Sequence, residues 1–151
     1  MVLHLGEKLK NSLIDQNPAG SIRYERFEVV LKQGWHTYDI LMPPHYYKAK
    51  PDRILRMSEI IGKVMPFRYC EIENYKPELL TKDKIQQISV SYPFEETASY
   101  FHSSDTVLNA IWEMCKHSIK ATSFCGMYVD GDRERFPREA DSYINQMSHY
   151  R

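Results

Sequence analysis

The hydrophobic period of this chain changes once, near Tyr100, and that change decides what the chain is able to fold into. From Ser21 to Tyr92 apolar and polar residues mostly alternate. In SIRYERFEVVL, residues 21–31, Ile22 and Tyr24 fall on one face, and Phe27, Val29 and Leu31 then recur at every second position, as in a half-buried strand. Gln33-Gly34 marks a turn, and WHTYDILMP reads as a second strand, stopped by Pro43-Pro44 because proline cannot donate to a sheet ladder. FRYCEIENY and IQQISVSYPF supply two more, the latter alternating Ile88, Val90 and Tyr92 before Pro93. Val2-Leu3-His4-Leu5 has the same character, with its partner expected outside the chain. Four or five such strands make one sheet or part of a sandwich.

Beyond Tyr100 the period becomes helical. In SSDTVLNAIWEMCKHSIKATSF, Val107, Leu108, Ile111, Trp112, Cys115 and Ile119 share one helix face, while Asn109, Glu113 and Lys116 point away. Ser104 is the expected N-cap, with Asp105 near the positive end of the helix dipole. A second helix is predicted from Pro137, whose fixed φ suits a first helical position, with Phe136, Ala140, Tyr143, Ile144, Met147 and Tyr150 as its buried stripe. That pattern is still running at Arg151. Strands first and helices afterwards predict an α+β chain with a boundary near residues 93–103.

Composition narrows the function classes. Twenty basic and twenty acidic residues cancel, so there is no broad cationic field to follow a phosphate backbone, and nucleic acid is not expected as a partner. No run reaches the eighteen or so apolar residues of a membrane helix, and MVLHLGEKLK lacks the apolar core of a secretory signal; the location of a parent enzyme stays open. Cys70, Cys115 and Cys125 form no C-x-x-C pair, and their spacing to His102 and His117 fits no zinc template, so neither a disulfide framework nor a metal is expected. Nothing in the sequence calls for a cofactor. The eleven tyrosines suit sugar stacking and suit ordinary sheet packing as well.

The densest chemistry lies in YVDGDRERFPREADSY, residues 128–143, where Asp130, Asp132, Glu134, Glu139 and Asp141 interleave with Arg133, Arg135 and Arg138. Two readings stand side by side. One is a solvated loop held by surface ion pairs, each worth little. The other is a carboxylate site in which crowding raises one pKa, so that group keeps the proton a general acid needs, while the arginines fix the ionised neighbours through forked hydrogen bonds. Glu134 lies just before the predicted helix and Asp141 about one turn inside it, so both are able to project toward one mouth. Asp141, Asn145 and Ser148 form a polar stripe beside the apolar one.

YVDGDRERFPREADSYINQMSHY resembles the start of the catalytic domain of bacterial α-L-rhamnosidases, which are inverting glycoside hydrolases built on a six-hairpin α/α barrel. LGEKL, GSIRYERFEVVL, GWHTY, GKVMPFRYCEIENY and YPFEETASYFHSSDTVLNAIW resemble, in order, the β-sandwich and linker preceding that barrel. The resemblance implies a partial β-sandwich over 1–95, and over 96–151 a linker with the first helices of a truncated barrel. It implies Glu134 as the general acid that protonates the departing glycosidic oxygen. Asp130 and Asp141 would bind rhamnose hydroxyls and keep Glu134 protonated, Arg135 would orient the loop carboxylates, and Arg138 would contact the sugar. The implied substrate is a rhamnose-containing oligosaccharide or glycoside. Many members of the family carry a longer stretch with a Cys-Pro pair and a tryptophan where this chain has Gly131-Asp132 and Arg138.

An inverting glycosidase also needs a general base on the opposite sugar face, with the two carboxyls roughly 6.5–9.5 Å apart. In this family the base is a glutamate in later barrel helices, and no residue of this chain takes that role. The expectation is therefore an internal fragment without turnover of its own, whose helix faces favour self-association. A non-catalytic carbohydrate-binding or structural β module is the alternative, and it predicts sugar binding indifferent to Glu134 and Asp141. A charged recognition loop centred on D-R-E-R is a third reading, marked by salt-sensitive partner binding.

Overall fold

The structure is a computed structural model, and it describes residues 1–43, 54–124, 127–129 and 135–149. Among the described residues it is α+β, with antiparallel sheets and two α-helices. The chain divides into two compact units, Met1–Pro44 with Lys63–Ile88, and His45–Gly62 with Ser89–Arg151.

The first unit is organised by β1 (Val2–Gly6), whose partner was expected elsewhere but which is instead the central strand. It pairs antiparallel with β4 (Tyr24–Glu28) on one side and β5 (Tyr69–Glu73) on the other. Between β1 and β4, β2 (Leu9–Lys10) and β3 (Leu13–Ile14) form a tight hairpin. Its two central residues, Asn11 and Ser12, both have positive φ, at 53° and 66°, the handedness that matches strand twist in a two-residue turn. Ile14 is buried, and its backbone N–H donates to Glu71 Oε2 at 3.0 Å, which pins the hairpin to β5.

Directly opposed residues share a face of an antiparallel sheet, so the register sorts this one cleanly. Leu3 opposes Phe27 and Ile72, and Leu5 opposes Glu25 and Cys70, giving a largely apolar face. On the other face His4 opposes Arg26 and Glu71, with Tyr24, Glu28, Tyr69 and Glu73 on the flanks. His4 is nevertheless only 2 % exposed. Its Nδ1 lies 2.7 Å from the Tyr24 hydroxyl and its ring stacks on Tyr24, with centroids 5.9 Å apart. Its Nε2 is 3.4 Å from Glu73 Oε2, near enough for an ion pair but without hydrogen-bond geometry. Burial, more than any neighbouring charge, pushes the Tyr24 phenol pKa up.

Gly6 sits under Ile14: a Cβ built there would come within 2.5 Å of Ile14 Cγ2. The β-branched neighbour is itself buried and cannot swing aside. Gly6→Ala is therefore expected to destabilise this unit by about 1–3 kcal/mol through overpacking. Urea unfolding followed by circular dichroism checks it, with an unchanged midpoint as the contrary result.

Two expected strands are not formed. Residues 35–43 and 85–94 run without ladder hydrogen bonds, and Leu41, Ile88, Val90 and Tyr92 are exposed. Alternation makes a strand only where the segment pairs with an edge and buries one face, and these segments do neither. Short 3-10 turns at Pro77–Leu79 and Lys82–Lys84 lead into the second segment. Cys70, Ile72, Tyr75, Pro77, Leu80 and Ile85 line a half-open apolar cavity of about 280 Å³, where burial pushes the Cys70 thiol pKa up.

In the second unit, α1 (Thr106–Thr122) begins one residue later than expected, because Asp105 is the N-cap in place of Ser104. The Asp105 carboxylate accepts from the Val107 N–H at 2.8 Å, while Ser103 Oγ accepts from the Asp105 N–H. Asn109 does not simply point away. Its side-chain amide accepts from the Ser103 N–H at 2.8 Å and donates to the Ser103 carbonyl at 2.9 Å, clamping the incoming chain to the helix. Lys116 and Lys120 hold Glu96 from the same helix, at 3.6 Å and 2.5 Å. Asp105→Ala is expected to cost about 1 kcal/mol and to fray the first turn of α1. Faster amide exchange at Val107 would show it, and unchanged exchange would refute it.

After α1, β6 (Ser123–Phe124) and β7 (Met127–Tyr128) pair antiparallel, and α2 (Glu139–His149) follows, two residues beyond the start predicted at Pro137. The apolar stripe of α1 is largely uncovered. No residue of that helix is buried, and Val107, Leu108, Ile111 and Cys115 are exposed, as are Tyr143, Ile144 and Met147 on α2. Tyr150 lies outside the described residues. Among the described residues no helix is long and apolar enough to cross a membrane.

Candidate glycosidase segment

The charged segment is held from both sides. Ahead of it, the N–H of the buried residue Val129 donates to the Thr122 carbonyl at 3.0 Å, so the outgoing end of the β6–β7 hairpin is fixed to the end of α1. Asp130 to Glu134 lie outside the described residues, among them the expected acid Glu134 and its expected partner Asp130. The described chain resumes at Arg135, and this residue is unusual in two respects.

Arg135 is only 3 % exposed, and its φ is +48°. A long side chain in the left-handed region is uncommon, and such conformations persist where the surrounding structure overdetermines them, often at functional sites. Here the Arg135 carbonyl accepts the Leu55 N–H at 3.0 Å, which fixes the peptide between Arg135 and Phe136. The sequence offered no signal for this, since neither glycine nor asparagine marks the position. Arg138 is exposed, with its guanidinium 5.4 Å from the Phe136 ring centroid, in cation–π range.

Asp141 lies in the first turn of α2, where the helix dipole favours a carboxylate, and it is exposed. The next residue ties that turn back to the hairpin: Ser142 Oγ donates to the Tyr128 carbonyl at 3.5 Å, a long contact, and the Ser142 N–H donates to the Arg138 carbonyl at 2.8 Å. The strand leading into the Asp130–Glu134 stretch and the helix turn carrying Asp141 are thus neighbours. The polar stripe anticipated along α2 omitted Ser142, the residue that makes this contact. Of the expected site residues, Arg135, Arg138 and Asp141 are described, with Arg135 buried and the other two exposed. Among the described residues no three His, Cys, Asp or Glu side chains are grouped as metal ligands would be.

No curated protein and no solved structure matches this chain. A family model does, over just over a third of its length and including the whole charged segment. Residues 96–151 match the bacterial alpha-L-rhamnosidase 6 hairpin glycosidase domain, a glycosidase family, and the chain resembles a fragment of such an enzyme.

Proposed function

We propose that this chain carries the acid half of an inverting α-L-rhamnosidase site. Glu134 gives its proton to the glycosidic oxygen as terminal α-L-rhamnose departs. Asp141 and Asp130 bind sugar hydroxyls, and their negative charge keeps Glu134 protonated near neutrality. Arg135 orients the loop carboxylates and Arg138 contacts the sugar. One observation carries the reading: the glycosidase family match runs from 96 to 151 and so includes Glu134 and Asp141 together. The contact from Ser142 to Tyr128 and the buried anchors Val129 and Arg135 support it, because they hold both approaches to the acid in place.

In the same reading residues 1–95 are part of a β-sandwich, and 96–151 are a linker with the opening helices of an α/α barrel. The exposed stripe on α1 is the surface that further helices, or a second copy of the chain, would cover. Sedimentation of the chain should accordingly give a mass above the 17.9 kDa monomer. A monomer at all concentrations would count against self-association.

On this reading the base that hydrolysis by inversion needs is not among these 151 residues. The chain by itself is therefore expected to release no product from an aryl α-L-rhamnoside. Turnover that disappears in Glu134→Gln would show that the base is present after all, and would overturn the account of an incomplete site.

A further inference from the structure

Trp35 is set out on an ordered loop of the first unit. Gly34, with φ of +96°, turns the chain immediately before it. The Lys32 N–H donates to the Tyr38 hydroxyl at 2.8 Å, closing the loop, and the His36 ring bonds the Gln33 carbonyl at 3.0 Å. On this frame the indole is 87 % exposed. Tryptophan is highly buried on average, and a buried indole contributes more apolar contact than almost any other side chain. The Lys84 ammonium lies 5.6 Å from the indole centroid and is itself fixed by donating to the Leu79 carbonyl at 2.6 Å. One of its three N–H donors is spent there, and two remain.

A flat apolar surface with a fixed donor over the same ring, 5.6 Å from its centroid, suits a ligand that has an apolar face and an edge rich in acceptors. We propose that Trp35 and Lys84 form a sugar-stacking platform, with the C–H face of a pyranose on the indole and ring hydroxyls accepting from the Lys84 ammonium. The choice of a sugar as ligand rests on the glycosidase reading, whereas the platform rests on the loop geometry. A wholly apolar ligand would have to strip water from the ammonium without replacing its hydrogen bonds, which is costly.

The chain contains two tryptophans, so Trp112→Phe leaves Trp35 as the single indole emitter. Titrating that variant with L-rhamnose, and separately with D-glucose, is expected to change its emission saturably with a half-saturation of about 1–10 mM, the range of one stacking contact with a hydrogen bond. Lys84→Ala in the same background should weaken binding several-fold, and Glu134→Gln should leave it unchanged. Emission unaffected by either sugar overturns the proposal, as does a change that follows protein concentration instead of sugar, or one identical in Lys84→Ala. Binding at Trp35 together with no role for Glu134 in any rhamnoside hydrolysis would sink the glycosidase reading and leave the platform standing. The reverse pattern would remove the platform alone.

Discussion

Glu134→Gln is expected to lower hydrolysis of α-L-rhamnosides with sugar or alkyl aglycones by about 10²–10⁴-fold in any polypeptide that joins this segment to a general base, the usual worth of a positioned acid. The amide keeps the shape of the carboxyl and loses the transferable proton, so binding should survive while the chemical step fails. KM should therefore stay close to its original value while kcat falls. The loss should also depend on the leaving group. An activated nitrophenol departs as a stable anion and needs little protonation, whereas a sugar or alkyl aglycone needs it fully. A uniform loss across leaving groups would assign Glu134 to sugar binding and not to proton transfer. No loss at all would return the D-R-E-R segment to the surface ion-pair reading.

His4→Ala is expected to be the most damaging single change in the β unit, costing about 2–4 kcal/mol. It opens a cavity at the centre of the three-stranded sheet and strips the partner from the Tyr24 hydroxyl, 2.7 Å away. Few other large side chains are buried there to compensate: Val2, Leu5 and Ile14 complete that unit's buried hydrophobic set among the described residues. A loss of this size is a large part of the stability of a typical small domain. Chemical denaturation monitored by β-sheet dichroism would register it as a much lower midpoint. His4→Asn, which is smaller but can still bond Tyr24, should lose less. Equal midpoints for both variants and the parent would mean that the His4–Tyr24 contact contributes nothing.

The two halves of the chain differed in how far the sequence could be read. The strands Tyr24–Glu28 and Tyr69–Glu73 were legible because each alternates and each finds β1 to pair with. Residues 35–43 and 85–94 alternate as well, yet a period of two records only which side chains could share a face, not whether an edge is waiting for them. For the same reason β1 read as an orphan when it is the central strand. His4 gave no warning of its burial, since a histidine in an alternating run reads as the solvent-facing member. Helix α1 was placed to within a couple of residues by its apolar stripe. The cap shifted by one residue because Ser103 is committed to the Asp105 N–H and the Asp105 carboxylate reaches Val107. The sequence marks the β6–β7 hairpin only weakly, because a two-residue strand is too short to show a period.

At the candidate site the first-turn position of Asp141 followed from Pro137 and the helical stripe after it. The left-handed backbone at Arg135 and the reach of Ser142 to Tyr128 did not, because both depend on contacts between segments that sequence spacing does not encode.

Carbon-13 NMR of the side-chain carboxyls in the 151-residue chain, followed while L-rhamnose is added, tests most directly the proposal that Glu134 and Asp141 serve one sugar. The prediction is that the Glu134 and Asp141 signals move together with one half-saturation, that Asp141→Asn abolishes the response of Glu134, and that D-glucose produces neither shift. Signals that stay still, or a Glu134 response that persists in Asp141→Asn, would show that the two carboxyls do not serve one sugar.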